Sequence, residues 1–526
     1  MSRKNAHKNA QWSRRDLLGG LGATLALTSI PARLLHAADS LRFRDSPFTL
    51  GVASGYPTSS SVVLWTRLAP APLQPGAGLP ADSVVPVTWE VATDDRMKQI
   101  VQTGVDYATS EWAHSIHAEP SQLEPGRDYW YRFTAGGVRS PIGHTRTAPR
   151  GDADNTKLRI AVASCQQYEH GYYVAYRHML DDDLDLVVHV GDYIYEGSWG
   201  KNRIRHHNAP EAITADDYRI RHALYRGEKE LQDAHAACPW LVTWDDHEVE
   251  NDYAGSVSED DDEPQWFLAR RAAAYRAYYE HMPLPRRAAP FGSDMRLFAQ
   301  RSFGQLANVV MLDSRQYRSP LACTAPARRN SRSVNCPELH EDSRTKLGVV
   351  QEHWARYQMA SSRTRWNVFA QGTVMAYVDE QQGPGELFWN DGWNGYPAAR
   401  KRLMESIAQT QVSNPVLLGG DIHSFIAANH HRVPADRTSP VTASEFVTTS
   451  ITSEAISQAS LDARRPENPN LVFANSERRG YLLLDLSRER LRADLITMNS
   501  VTDRNAGRST QASFVVENGQ AGIKEA

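Results

Sequence analysis

Two patterns of apolar residues divide the chain. From Phe48 to about Arg146, stretches such as SVVLWTRL, PVTWEVAT and DYWYRFTAG alternate apolar and polar residues, and turns rich in Pro and Gly separate them. Such alternation predicts strands with one buried face. The polar, turn-rich segment at residues 147–157 has the composition of a linker. We therefore predict an all-β domain at residues 44–148 that is followed by a second domain.

Beyond the linker, short apolar stretches alternate with helix-like segments. The apolar stretches are IAVASC, DLVVHVGD, WLVTWDD, ANVVMLD, WNVFAQG and PVLLGGD. Runs that are apolar on both faces are typical of strands buried in a sheet covered by helices. EPQWFLARRAAAYRAYYEHM and PAARKRLMESIAQT predict two of the helices, while FVTTSI and GYLLLDLSRERLRADLI predict further strands. We predict an α/β domain at residues 155–500 and expect the polar tail at residues 501–526 to be loosely ordered.

The N-terminus has the features of an export signal. Basic residues including Arg14 and Arg15 precede an uncharged stretch from Leu17 to Ile30, and small residues follow near Ala38. This pattern predicts a signal peptide at residues 1–38. SRRDLL also matches the twin-arginine signal, although an ordinary secretory signal with two chance arginines is the alternative. We expect the twin-arginine machinery as a partner, a periplasmic or extracellular location, and no transmembrane anchor.

Charge and cysteine content narrow the interpretation. The net charge of −4 gives no reason to expect a nucleic-acid-binding patch. Cys323 and Cys336 bracket the polar stretch TAPARRNSRSVN, and in an oxidising compartment we expect a disulfide to close this loop.

Metal-binding residue types follow several of the predicted strands. Cys165 ends one strand, Asp192 follows Gly191 after the next, and Tyr195 lies three residues further on. Ligands of α/β sheets gather at the carboxyl ends of the strands, so these side chains are expected to converge. Asp192 could bridge two ions, and thiolate with phenolate suits an ion such as ferric iron. Taken alone, Cys165 would more often be an inert core residue and Tyr195 a packed aromatic.

GGDIHS places Asp421 and His423 at positions that share one face of an extended chain, so both can reach one site. The alternative is a capping Asp and a satisfied buried His. Paired ions would acidify a bridging water to hydroxide and position it for in-line attack on a phosphate ester.

The block WDDHEVEND concentrates polar groups behind an apolar strand. Asp245 and Asp246 are adjacent carboxylates, and with no compensating arginine nearby they would repel each other unless a cation lies between them. His247 is either a proton donor to a leaving group or a hydrogen-bonding partner of a ligand. Arg315, in LDSRQYR, either binds substrate phosphate or forms a salt bridge with a neighbouring acid.

At these residues the chain resembles the alkaline phosphatase D (PhoD-like) family, within the wider calcineurin-like and purple acid phosphatase metallophosphatases. The blocks that carry the resemblance are SCQQYEHGYY, HVGDYIYEG, TWDDHEVENDY, AQGTVMA and GGDIHS. The resemblance covers about Phe48 to Ile496. It implies a four-layer αββα metallophosphatase sandwich. LEPGRDY, ending at Tyr129, is similar to the tyrosine corner of immunoglobulin-like and fibronectin type III domains, so we expect that fold for the N-terminal domain.

The resemblance also implies Fe(3+) and Ca(2+) as cofactors. The positions that match ferric ligands are Cys165, Asp192, Tyr195 and His423. Those that match calcium ligands are Asp192, Asn251 and Asp421, with Asp245 and Asp246 as further candidates. The Gly-His-x-His block of the wider metallophosphatases reads GDIH here, so Asp421 stands at the position of the first histidine. The replacement of a nitrogen ligand by an oxygen ligand favours calcium over zinc.

We therefore expect an exported, metal-dependent phosphoesterase that hydrolyses phosphate monoesters, diesters or both. A phosphodiesterase or phospholipase D-type enzyme with the same metal site is the alternative. A secreted binding protein whose metals are purely structural is the alternative of a different class.

Overall fold

The computed structural model describes residues 42–323, 332–434 and 436–526. The predicted export signal at residues 1–38 lies outside these ranges. Within them, no helix has both the length and the hydropathy needed to span a bilayer.

The described residues form mixed α/β structure. The helices longer than one 3₁₀ turn are α1 Val174–Met179, α2 Ala215–Arg226, α3 Lys229–Ala237, α4 Pro264–His281, α5 Gly348–Ser361, α6 Pro397–Thr410 and α7 Gln458–Arg464. The strands are β1 Val52–Gly55, β2 Val63–Arg67, β3 Val84–Ala92, β4 Ile100–Thr109, β5 Ser115–Ala118, β6 Asp128–Ala135, β7 Val138–Arg139, β8 Gly143–Arg146, β9 Leu158–Ala163, β10 Leu186–His189, β11 Pro239–Val242, β12 Ala299–Phe303, β13 Ala307–Met311, β14 Arg332–Val334, β15 Trp366–Ala370, β16 Leu387–Trp389, β17 Pro415–Gly419, β18 Phe425–Val433, β19 Asp436–Val447, β20 Leu471–Asn475, β21 Gly480–Leu486, β22 Arg490–Met498, β23 Arg508–Glu517 and β24 Lys524–Glu525.

Two large mixed sheets organise the molecule. One has ten strands in the order β24-β23-β22-β21-β9-β10-β11-β1-β2-β5, and the other has seven in the order β12-β13-β15-β17-β19-β18-β20. Strands β9, β10 and β11 are parallel and adjacent, and Ala163, His189 and Val242 lie beside one another at their carboxyl ends. In the second sheet β13, β15 and β17 are likewise parallel neighbours. The loops after β9, β10 and β11 therefore leave one edge of the first sheet together.

Alternate residues of the seven-stranded sheet face two different cores. Val309 and Val368 pack in a cluster with Val162 and Val188 of the ten-stranded sheet. Their neighbours face a second cluster, which contains helix residues such as Leu403 of α6. This two-sided burial explains why β13, β15 and β17 are apolar throughout, and it confirms the prediction of buried strands at these stretches.

The N-terminal β structure is continuous with the rest of the molecule. Strand β1 pairs in parallel with β11 and antiparallel with β2, so β1, β2 and β5 extend the ten-stranded sheet. Strands β3, β4, β6, β7 and β8 form a separate five-stranded sheet. A cluster that includes Val52, Leu64, Val87 and Phe133 fills the space between the two. The chain after the linker segment thus shares a sheet with the chain before it.

The C-terminal tail differs from expectation. The prediction that the chain after Val501 is loosely ordered is wrong, because β23 pairs with β22 along nearly its whole length and β24 pairs with β23. Phe514 and Val516 are buried against the main core. The apolar residues of the segment QASFVVE therefore pack β23 onto the core, while the polar residues at the start of the strand are partly or fully exposed.

Candidate metal centre

Backbone conformation marks the loops that follow β9, β10 and β17. Cys165, Asp192, Asp421 and His423 all have positive φ, at 57°, 55°, 69° and 54°. Such angles are uncommon outside glycine and concentrate at functional sites. The first two loops are joined directly, since the amide of Cys165 donates to the carbonyl of Gly191 at 3.1 Å. The four side chains are thus carried by strained turns at the ends of strands.

One tight group of donors joins three separate segments. Ligand atoms of Cys165, Asp192 and His423 all lie within 4.8 Å of one another. The Tyr195 hydroxyl donates to Asp192 Oδ2 at 2.9 Å and lies 3.1 Å from His423 Nε2. Ser453 Oγ in turn donates to that hydroxyl at 2.8 Å. The structure therefore brings together all four positions matched to ferric ligands.

A second group shares one residue with the first. Ligand atoms of Asp192, Asp246 and His247 also lie within 4.8 Å of one another. Asp192 is thus placed to bridge two neighbouring positions. Oδ1 of Asp192 and Oδ1 of Asp246 are buried without a hydrogen-bond partner, although an Arg315 nitrogen lies 3.6 Å from the latter. Buried carboxylate oxygens without partners are costly, and bound cations would satisfy them.

The electrostatics of these groups also fit cations. Burial raises the pKa of Asp192 well above its usual value, and Asp246 and Asp245 raise it further. Burial and the nearby Asp192 likewise raise the pKa values of the Cys165 thiol and the Tyr195 phenol. A bound cation opposes these shifts, because it stabilises the deprotonated form of each ligand. Bound cations would therefore hold these buried donors in their deprotonated forms.

His423 is held in the form that a metal ligand requires. Its Nδ1 donates to the carbonyl of Glu454 at 2.5 Å, so Nε2 remains as the lone-pair nitrogen on the side of Tyr195. Desolvation and the neighbouring Arg479 lower the pKa of His423 to about 3, which keeps the imidazole neutral. The Trp199 ring stacks on the imidazole with 5.6 Å between centroids. Such contacts fix the tautomer and direction of a ligating histidine.

The remaining calcium candidates lie on the walls of the same cavity. Asp421 and Asn251 line it together with Asp192, Asp246 and His423. Desolvation and the carboxylate of Asp245 raise the pKa of Asp421. The Asn251 amide donates to Glu259 at 2.8 Å. Among the described residues, Asp421 is not a member of either tight group.

The surroundings of Asp245 correct one expectation. Arg315 donates from Nε and Nη2 to the two oxygens of Asp245, at 2.6 and 2.8 Å, and from Nη1 to Asp391 at 2.7 Å. The statement that no arginine compensates Asp245 and Asp246 is therefore wrong, because Arg315 lies 70 residues away in sequence but adjacent in space. Arg315 is fully buried and does not line the cavity, so its contacts are those of the salt-bridge alternative.

His247 has the hydrogen bond expected of an oriented imidazole. Its Nδ1 lies 2.8 Å from Glu196 Oε2, and its ring contacts that of Tyr195 at 4.2 Å. Burial alone would lower the pKa of His247, but Glu196, Asp246 and Asp192 outweigh it and hold the pKa well above the usual value. His247 thus lines the cavity as a paired cation, which is compatible with either of its two proposed roles.

Sequence reasoning missed three acidic residues that shape the site. Glu248 accepts hydrogen bonds from the backbone amides of Asp192, Tyr193 and Asp245, and so ties the loop after β10 to the loop after β11. Glu196 orients His247, and Asp391 shares Arg315 with Asp245. Glu196 and Glu248 lie inside the blocks HVGDYIYEG and TWDDHEVENDY. Their position after a predicted strand could therefore have identified them as candidate site residues. Nothing in the local sequence distinguished Asp391.

A disulfide joins two of the cysteines that lie outside the metal centre, Cys323 and Cys336. They pack beside Phe388 of β16, which pairs with β14. The disulfide therefore lies next to the strand that ends at Trp389, a residue of the cavity wall.

Comparisons with known proteins agree with this geometry. The family model described as PhoD-like phosphatase matches residues 160–495, and the model described as PhoD-like phosphatase, N-terminal domain, matches residues 35–149. The chain belongs to the PhoD-like phosphatase family. Alkaline phosphatase D from Bacillus subtilis (strain 168) is 43% identical over 540 residues, which cover 99% of this chain and 91% of that protein. A solved structure of PhoD superposes with a TM-score of 0.89 at 44% identity and covers 93% of both chains.

Membership of the PhoD-like phosphatase family makes the chain a phosphoric ester hydrolase. The interpretation as a binding protein with purely structural metals is therefore set aside. The candidate metal-binding groups lie in the part of the chain that the PhoD-like phosphatase model matches.

Proposed function

We propose that this chain is an exported, metal-dependent phosphoesterase that hydrolyses phosphate monoesters, diesters or both at the cavity described above. The observation that supports the proposal is that Asp192 belongs to two groups of side chains, one with Cys165 and His423 and the other with Asp246, where the protonated His247 is a neighbour of the carboxylates and not a ligand. A centre built on a bridging carboxylate suits paired ions, and paired ions suit phosphoryl transfer.

The first group suits ferric iron. Cys165, Asp192, Tyr195 and His423 combine sulfur, oxygen and nitrogen donors, which neither calcium nor magnesium would select. Asp192, Asp246, Asn251 and Asp421 offer oxygen donors and suit calcium. Asp245 is the weaker candidate, because both of its oxygens are occupied by Arg315. When bound, the ions would neutralise the phosphoryl oxygens and acidify a water molecule.

The residues around the ions have separate tasks. Glu196 holds the imidazole of His247 towards the cavity, where a protonated ring can give its proton to a departing alcohol. Glu248 fixes the loop that carries Asp192 relative to the loop that carries Asp245. The metal-binding side chains come from loops that follow separate strands. Hydrogen bonds between these loops therefore keep the distances between the side chains constant when substrate enters.

The finer expectations about fold and location are part of the same proposal. The N-terminal structure is proposed to be an immunoglobulin-like sandwich, which is supported by the hydrogen bond from the Glu124 amide to the Tyr129 hydroxyl at 2.8 Å. The α/β part is proposed to be a four-layer αββα sandwich, and the N-terminal signal to direct export through the twin-arginine route.

A substrate panel tests the proposed activity. The purified enzyme is assayed on 4-nitrophenyl phosphate, bis(4-nitrophenyl) phosphate and phosphatidylcholine, before and after metal removal and then with iron plus calcium restored. We expect hydrolysis of a nitrophenyl ester that chelation abolishes and the two metals together restore. Full activity in metal-free protein would refute the metal-dependent mechanism.

A further inference from the structure

The cavity that contains the metal centre is larger than a phosphate group requires. Its volume is about 830 Å³. This is near the upper end of the range of about 300–1,000 Å³ that is usual for small-molecule sites. The space beyond the metal centre is large enough to receive another part of a substrate.

One side of this space is apolar and begins beside the metal ligands. Ile422 lies between Asp421 and His423 and contacts a cluster of apolar side chains. We call the cavity-lining members of this cluster the apolar wall: Val374, Val378, Ile422, Ile426, Leu461 and Leu471. Strands β18 and β20 and helix α7 supply three of the six. A wall built on regular elements gives the space a fixed shape.

The charged side chains around the space are mainly negative. Among the described residues that line the cavity, eleven carry carboxylates, and Arg464 is the one arginine or lysine. Arg464 is paired with Glu380. Outside the cavity, Arg270 pairs with two of the acids, Glu211 and Glu250. Metal ions would neutralise the acids that bind them, but Glu259 and Glu454 also line the cavity and are not among the candidate ligands.

From this combination we infer that the enzyme selects phosphate esters whose second group is apolar, and discriminates against esters that carry a further anionic group. The inference rests on the proposed function and specifies its substrate class. Apolar groups gain free energy by leaving water for the apolar wall. A second phosphate or carboxylate would approach carboxylates with no unpaired arginine or lysine described on the lining, and electrostatic repulsion would oppose its binding.

A series of 4-nitrophenyl phosphodiesters tests the inference, because the leaving group is the same in all of them. The second alcohol is methyl, butyl, octyl or 7-carboxyheptyl. We expect kcat/KM to rise about tenfold or more from methyl to octyl. The carboxyheptyl ester is expected to be at least about tenfold poorer than the octyl ester at low salt, with a smaller difference at high salt.

Variants connect the preference to the apolar wall. Val378→Ser and Leu461→Ser are each expected to reduce the ratio of octyl to methyl kcat/KM several-fold. The two changes lie on different segments, so a folding defect in one leaves the other as a test. Val350→Ser is the matched control, because Val350 is 77% exposed on α5 and does not line the cavity. It should retain the wild-type ratio.

The outcomes separate this inference from the function on which it rests. Equal kcat/KM for the methyl and octyl esters would overturn the apolar preference while leaving a phosphodiesterase. Equal rates for the octyl and carboxyheptyl esters would overturn the discrimination against anions. Failure to hydrolyse any phosphate ester, the methyl diester and simple monoesters included, would overturn the proposed function and the inference together.

Discussion

Replacing Arg315 by Met distinguishes a structural arginine from one that binds phosphate. The change removes both hydrogen bonds to Asp245 and one to Asp391, all at 2.6–2.8 Å. The change leaves the buried Asp245 without its cationic partner, whereas Asp391 keeps its ion pair with Arg318. Loss of one member of a buried pair typically costs about 3–5 kcal/mol in the free energy of unfolding. We expect a loss of that size, together with lower metal content because Asp246 is adjacent.

The assay is urea unfolding followed by tryptophan fluorescence, combined with KM measurements. Arg315→Lys should lose about 1–3 kcal/mol, because it keeps the charge but not the paired geometry. Arg150→Met is the matched control, since the Arg150–Asp152 pair is 68% exposed on each side and its loss should leave the free energy of unfolding essentially unchanged. Unchanged stability of Arg315→Met with KM raised tenfold or more would refute the salt-bridge interpretation and favour a phosphate-binding arginine.

Three further predictions concern the metal centre. Asp192→Asn should lower kcat by about a thousandfold or more and release metal, and near-normal turnover would disprove a bridging role. If Cys165 and Tyr195 bind ferric iron, the purified enzyme should absorb visible light, with Tyr195→Phe shifting the band and Cys165→Ser weakening it; a colourless, active enzyme would contradict this. His247→Gln should slow hydrolysis of alkyl phosphates about a hundredfold but that of 4-nitrophenyl phosphate much less, because a good leaving group needs no proton; equal losses would indicate a positioning role.

The buried strands and the candidate ligands were predictable because their signals are local. A stretch such as ANVVMLD is apolar on both faces because β13 lies between two cores. The apolar pattern can be recognised in the sequence without a structure. The ligands follow such strands directly, so the rule that sites form at the carboxyl ends of parallel strands was sufficient to group Cys165 with Asp192. The prediction that Asp421 and His423 share one face of an extended chain was wrong, because both have positive φ in the loop after β17, although both line the cavity.

What sequence could not supply depends on contacts between distant segments. Arg315 pairs with both Asp245 and Asp391, which come from separate parts of the chain, and salt bridges of this kind have no local sequence pattern. The β-rich N-terminus shows strand alternation, but not that β1 pairs with β11. The order of the C-terminal tail was misjudged for a related reason. Its few apolar residues are sufficient because β22 provides a neighbouring strand on which β23 can pair.

Elemental analysis of the protein purified without added metal, with activity measured on the same sample, tests the central claim most directly. That claim is that loops from separate strands bring their donors into one cavity that binds more than one ion. It predicts that every active preparation contains iron and a second metal. It also predicts that the variant Asp192→Asn loses both metals and its activity. A fully active preparation that contains no metal would contradict it.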